Sequence, residues 1–260
     1  MKIIELMQRS LRQIVEKNVH VAAQLVMERG FVLEKLTNQL KPETFVYRCQ
    51  YTKGYEARFV SHLDMVRIYS RAARRANIPV FYSMGFNPHP SFVFGQPLSV
   101  GVTSECEYVD IELDTPMPAS VIKDELNKVL PTGICINECA QLAPGTPNIM
   151  KAVNGGIYEL EIAGDFDPVK MLDTYNSAKP LVVMKKSKSG VTEMDVRPLI
   201  FAFDIQEKSD NLFTVYLETQ AGNIMNLKPE AAFEAILQYT YEDPMEIEYI
   251  SINKKGILYK

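Results

Sequence analysis

In the segment EYVDIELD, Glu107 to Asp114, polar and apolar residues alternate without a break from Tyr108 onward, and no other feature limits the fold as much. Successive side chains of a strand point to opposite faces, so Val109, Ile111 and Leu113 turn inward while Tyr108, Asp110, Glu112 and Asp114 turn outward. Such a strand needs a sheet with one covered face. The cover must come from segments of helical period, and the chain supplies these between its strand-like runs.

FVYRCQYTK, from Phe45, reads as a strand. Ser61 then offers an N-cap with Asp64 three residues on, a short-armed relative of the capping box, and a helix is expected from His62 to about Ala76, with Pro79 ending it. SFVFGQPLSVGV and EYVDIELD follow as strands, Ala119 to Leu130 as a helix, and GICINECAQL as a strand. That order, β-α-β-β-α-β, is the ferredoxin-like pattern. APGTPN, Ala143 to Asn148, is a turn-rich linker, after which the order recurs through GIYELEIAG, DPVKMLDTYNSA, a meander of LVVMKKS, VTEMDVRPLIFAFDIQE and LFTVYLET, KPEAAFEAILQYT and MEIEYISINKK. The expected fold is α+β, two ferredoxin-like halves packed together, residues 43–147 and 148–260. Residues 1–42 carry apolar residues at helical spacing up to a stop at Pro42 and read as a helical N-terminal extension.

The chain has 260 residues, 47% of them hydrophobic, and no run of 18 apolar residues. A signal peptide needs an uninterrupted apolar core, which the charged start lacks, so the expectation is a soluble cytoplasmic protein with no membrane partner. Cys49, Cys106, Cys135 and Cys139 are too sparse for a disulfide scaffold. On a strand, Cys135 and Cys139 share a face with Asn137 between them. Their spacing is similar to the start of an iron–sulfur C-x-x-x-C-x-x-C motif, but Leu142 stands where the third thiolate belongs, and zinc lacks two further ligands nearby. No metal and no cofactor are expected. Nucleotide-binding glycine motifs, H-E-x-x-H and G-x-S-x-G are missing.

Charge is uneven. The net charge is -4, yet Phe45 to Pro90 holds seven Arg or Lys against two acids, leaving 21 basic and 30 acidic residues elsewhere. At 100° per residue Arg67, Arg71, Arg74 and Arg75 occupy one sector of the expected helix, with Leu63, Val66, Tyr69, Ala73 and Ala76 on the packing side. Planar guanidinium forks suit phosphate, and successive turns can follow a nucleic-acid backbone, while a solvated face laced to acidic strands is the plainer alternative. Arg58 belongs to the same basic region.

SMGFNPHPSF, Ser83 to Phe92, follows that helix. Asn87 and His89 each precede a proline and are pushed toward extended backbone, and Gly85 tolerates positive φ, so the loop is stiff. It is expected to lie against the N-terminal part of the arginine helix, presenting Phe86, Asn87 and His89 to a base or sugar. His62 and His89 flank the stripe and suit general acid–base work in metal-free RNA cleavage. Packing or capping for His62, and a backbone hydrogen bond within the loop for His89, are the plainer readings. In the second half, Lys185, Lys186 and Lys188 precede a turn at Gly190, with Asp195 and Arg197 alternating on the next strand. They read as a second phosphate contact or as a solvated hairpin tip.

The stretch ARFVSHLDMVRIYSRAARRANIPVFYSMGFNPHPSFVFGQPLSVGVTSECEYVDIEL resembles the hallmark segment of a bacterial family of radical-SAM-linked proteins, a domain of unknown function. The likeness is close from Tyr47 to Leu113, and GVTEMDVRPLI is similar to the family's later motif; the stretch before Pro42 departs from it. The family takes its name from fusion or adjacency to radical S-adenosylmethionine proteins. The resemblance therefore implies a partner that carries the chemistry and a companion that binds substrate. The combined expectation is a non-catalytic module presenting RNA, either tRNA or ribosomal RNA, to a separate radical SAM modifying enzyme. Two alternatives stand beside it: a metal-independent RNA-processing endonuclease using His62 and His89, and a scaffold docking an acidic protein partner.

Overall fold

A computed structural model describes residues 43–84, 86–187, 190–222, 225–243 and 245–259. The expected helical extension of residues 1–42, the φ of Gly85 and the contact expected of Lys188 lie outside them, as do the side chains of Lys185 and Lys186.

Alternation builds the first strand, β1 (Phe45–Lys53), whose Tyr47, Cys49, Tyr51 and Lys53 are buried. Next come α1 (His62–Arg75), β2 (Phe92–Phe94), β3 (Thr103–Leu113), α2 (Ala119–Asn127) and β4 (Ile134–Gln141). A one-turn helix α3 (Ile149–Ala152) leads into β5 (Val153–Ala163), α4 (Pro168–Asn176), β6 (Val182–Ser187) and β7 (Gly190–Asp195). The remainder is β8 (Ile200–Ser209), β9 (Leu212–Gln220), α5 (Pro229–Thr240) and β10 (Glu248–Tyr259). Among the described residues the fold is mixed α/β, with five α-helices and one large mixed sheet.

That sheet has eight strands in the order β4-β1-β3-β10-β5-β9-β8, with β2 added to β3. Every pairing is antiparallel except β10 with β3, which runs parallel over Thr103 and Ser104. β6 and β7 leave the meander expected of them and, among the described residues, form a separate two-stranded sheet. One core gathers β1, β3 and β4 with α1 and α2 around Tyr47, Tyr69, Ile111 and Ile122, and a second gathers α4, α5, β5, β8 and β9 around Leu160, Met171, Val215 and Phe233. At the parallel seam, the Lys254 ammonium, 1% exposed, meets the Glu107 carboxylate at 2.9 Å, and the Ser104 hydroxyl donates to the same carboxylate.

Three expectations are corrected. Val109, Ile111 and Leu113 do face a core, but Asp110, expected in solvent, is 2% exposed. The second face of the sheet is covered there: Arg48 grips the Asp110 carboxylate through Nε at 2.7 Å and Nη2 at 2.9 Å, the Ile149 N–H donates to it at 2.7 Å, and Arg48 also donates to the Pro147 carbonyl. The pair thus ties the linker to the sheet. Second, Cys135 and Cys139 do not share a face. The β1–β4 register slips between Gln50 and Tyr51, which leaves Asn137 as an extra residue, so Cys139 opposes Cys49 with their sulfurs 2.9 Å apart while Cys135 is exposed on the other side. The Cys49 thiol donates to the Cys139 sulfur, and this bond and burial push its pKa up. Third, Arg197 is not on a strand: β7 stops at Asp195, whose carboxylate accepts the Leu181 and Arg197 N–H groups, and Arg197 opens a 3₁₀ turn.

Candidate nucleic-acid interface

Helix α1 starts where its cap dictates. The Ser61 hydroxyl oxygen accepts the Asp64 N–H at 3.2 Å and donates to the Asp64 carboxylate at 2.7 Å, so the acid returns to the hydroxyl instead of the backbone. It ends on Asn77 in the left-handed region, φ 53°, with the Ile78 N–H donating to the Ala73 carbonyl and Ile78 buried beneath. Between these ends Met65, Tyr69, Ala72 and Ala73 are buried. Arg67, Arg71, Arg74 and Arg75 are all exposed, spread over about 12 Å of helix at 1.5 Å per residue. Leu63, expected on the packing side, is 67% exposed and lies beside the arginines. The reason is angular: the buried sector centres on Met65, Tyr69 and Ala72, and Leu63 falls well outside it.

The four guanidinium groups are held to different degrees. Arg67 pairs with Asp64 at 2.9 Å, and the Ser61 hydroxyl and Arg67 together hold the Asp64 carboxyl below its ordinary pKa. Arg74 donates to the Tyr82 hydroxyl at 3.3 Å, and Arg75 to the Val129 carbonyl at 2.5 Å. Among the described residues, Arg71 makes no hydrogen bond or ion pair. The face is therefore a row of exposed cations with one acid at its start.

The SMGFNPHPSF loop closes on itself at a Tyr82–Pro90 bridge, with the Ser83 N–H donating to the His89 carbonyl and the His89 N–H to the Ser83 hydroxyl. Phe86, Asn87 and His89 are exposed at its tip. The helix meets the root of this loop through Arg74 and Tyr82 in its last turn, and through Tyr69 and Phe92 at mid-helix, whereas the contact was expected in the N-terminal part. Among the described residues no hydrogen bond or ring contact joins the two histidines. His62 packs its ring edge-on against Phe94 at 5.5 Å, whereas His89 sits on the exposed loop.

Other basic residues divide between surface and frame. Lys53 is buried, with its ammonium donating to the carbonyls of Arg58 at 3.1 Å and Val60 at 2.9 Å; burial lowers its pKa, opposed by Glu107. Arg197 donates to the carbonyls of Tyr175 and Ile200 and lies 4.0 Å over the Tyr175 ring, which makes it a brace between α4 and β8. Arg58 is half-buried against two aromatic rings that the sequence reading passed over, Tyr55 and Phe59. The signal was present as YEARF, two aromatics four apart with an arginine between, ending two residues before the helix cap.

Residues 46–229 match the family model described as "Uncharacterized protein conserved in bacteria (DUF2344)". No curated protein matches the chain. Among solved structures it is similar to a chain of a Cbf5-Nop10-Gar1 complex, with 8% identity, TM-score 0.44 and coverage of 82% of this chain and 48% of that one. A chain of an archaeal box H/ACA sRNP Nop10-Cbf5 complex gives 10% identity, TM-score 0.41 and coverage of 83% and 48%. A chain of an H/ACA RNP bound to a substrate RNA containing 2'-deoxyuridine gives 8%, 0.41, and 81% and 46%. This chain thus aligns with about half the length of each. Likeness of this degree leaves the functional reading to the chain's own residues. No helix among the described residues is long and apolar enough to cross a membrane.

Proposed function

We propose that this chain, which belongs to the DUF2344 family of uncharacterized proteins conserved in bacteria, is a non-catalytic RNA-binding module that presents tRNA or ribosomal RNA to a separate radical SAM modifying enzyme in the cytoplasm. The observation that carries the reading is the face of α1, where four arginines stand exposed in a row and Arg71 has no partner among the described residues. Neighbouring guanidinium groups repel unless anions lie between them, and phosphates of a nucleic-acid backbone supply anions at repeated spacing. Phe86, Asn87 and His89, exposed on the stiff loop, are assigned to bases or sugars, with Lys185 and Lys186 as a second phosphate contact. The frame is read as two ferredoxin-like halves, and the strand orders β4-β1-β3-β2 and β10-β5-β9-β8 support that reading, with β6 and β7 as an insert.

Crosslinking in cells followed by sequencing of bound RNA tests the proposal. Reads should concentrate in tRNA or ribosomal RNA, a radical SAM protein should copurify, and replacing Arg71 and Arg75 together by alanine should remove the reads. Crosslinking no stronger for the wild-type chain than for that double variant would overturn the RNA assignment.

A further inference from the structure

Resting on the RNA-binding reading, we infer that Tyr55, Arg58 and Phe59 form a stacking platform for an unpaired base of the bound strand. Tyr55 and Phe59 are 67% and 66% exposed, although aromatic rings of this size ordinarily gain by burial. They are not held loosely. Tyr55–Ala57 is a 3₁₀ turn anchored by buried Ala57, and the Gly54 N–H donates to the Gly133 carbonyl at 2.7 Å. Gly133 itself has φ 86°, and a Cβ on it would stand 3.0 Å from the Ala57 nitrogen, so the turn rests directly on backbone. From below, the buried Lys53 ammonium holds the Arg58 and Val60 carbonyls, and the Gly101 N–H donates to the Arg58 carbonyl at 2.8 Å. The segment carrying both rings is fixed before any ligand arrives.

The guanidinium completes the surface. Its carbon lies 3.3 Å from the Tyr55 ring centroid and 4.4 Å from that of Phe59, and Nη1 donates to the Tyr55 carbonyl at 2.7 Å. The outcome is a planar cation laid against two aromatic rings, each still mostly open. An unpaired nucleobase offers a face that stacks on such rings, and its phosphate offers charge to the guanidinium. A duplex keeps its base faces stacked internally, and an acidic peptide offers charge but no face, so both fit the platform less well. Position agrees with this. Phe59 precedes Leu63, the first residue of the exposed face of α1, by four residues, a span of at most about 14 Å of chain, so one strand can reach both the platform and the start of the arginine helix.

The test uses the full chain and a fluorescein-labelled, mixed-sequence RNA of about 12 nucleotides, single-stranded or annealed to its complement, with affinities measured across a salt series. Tyr55→Ala and Phe59→Ala should each weaken single-strand binding by about 5- to 150-fold. The salt slope and the affinity for duplex should be unchanged, and Tyr55→Phe should bind as wild type. Because both rings are largely exposed, thermal melting of the alanine variants should match wild type. Arg71→Ala separates the two levels of the argument. If it weakens single-strand binding while Tyr55→Ala and Phe59→Ala bind as wild type, the platform is wrong and the arginine face stands. If the wild-type chain binds neither strand form, the RNA reading fails and the platform falls with it. If polyglutamate competes as well as unlabelled single strand does, the occupant is an acidic protein segment and the assignment is overturned.

Discussion

Arg71 and Arg197 carry the same guanidinium but do opposite work. Arg197 is braced by two carbonyls and a tyrosine ring, and hydrogen bonds to a charged donor contribute about 1.5–3 kcal/mol each at most, so Arg197→Ala should lower stability by about 2 kcal/mol in urea unfolding. Arg71 touches none of these things. Its replacement by alanine should leave stability within about 0.5 kcal/mol, weaken binding to all RNAs alike, and reduce the salt slope by about 0.7, the counterion release per phosphate of a single strand. Asn87→Ala and His89→Ala should instead leave the slope unchanged while eroding preference among RNAs, since base and sugar contacts carry discrimination. Equal changes of slope for helix and loop variants would merge the two roles. Residue by residue, the exposed arginines were legible because a helix turns by a constant angle. The burial of Lys53 was not, because nothing in a strand's alternation distinguishes an ammonium that will find two carbonyls from one that will not.

At the scale of elements, the strands and helices were legible where a covered face imposed a period: α1 runs from His62 as its Ser61 cap indicates, and β3 buries Val109, Ile111 and Leu113. What was hidden depends on partners distant in sequence. Asp110 looked solvated because simple alternation takes the second face to be bare, whereas Arg48 and the linker, 62 and 39 residues away, close over it. Helix α2 ends at Asn127, short of the expected Leu130, although the Leu130 N–H still donates to the Leu126 carbonyl, and there the Asn127 side chain pairs with both the N–H and the carbonyl of Ile136 on β4. An amide standing in for a strand next to the Asn137 bulge leaves no local trace. These contacts make a sharp contrast within one strand. Asp110→Ala leaves the half-buried Arg48 and the Ile149 N–H without their buried acceptor and should cost about 2–4 kcal/mol, whereas Asp114→Ala, exposed at the end of the same alternating run, should stay within about 0.5 kcal/mol. Comparable losses in urea unfolding would show that the buried pair does not hold the linker.

For the whole molecule, the parallel meeting of β3 and β10 joins the two strand sets into one sheet, and it is made of charge. Burial works against the Lys254 ammonium, but Glu107 together with Tyr158 and Cys106 more than offsets it, so its pKa stands above the ordinary lysine value. A raised pKa of this kind stabilises fully below the unfolded value of about 10.4 and is lost as pH rises through the folded one. Burial also raises the Tyr51 and Tyr69 hydroxyls, which lose stability in the same direction, so the informative quantity is the difference between wild type and Lys254→Met. That variant should be about 3–5 kcal/mol less stable at neutral pH, with a shallower alkaline decline, and adding Glu107→Leu should recover most of the loss. A loss below about 1 kcal/mol for the single variant would remove the seam from the stabilising contacts. The same pair has a consequence in time. β3 ends at Leu113 and β10 begins at Glu248, 135 residues later, and at about 5–20 residues per second a ribosome needs roughly 7–27 s to make that interval. Until then β3 waits with part of its edge unpaired, beyond the stretch that β2 covers. It waits with the Glu107 carboxylate still in water, so two nascent chains that tried to pair through this edge would bring like charges together. The lysine that closes the sheet is thus delivered late, and the acid it neutralises guards the edge in the meantime.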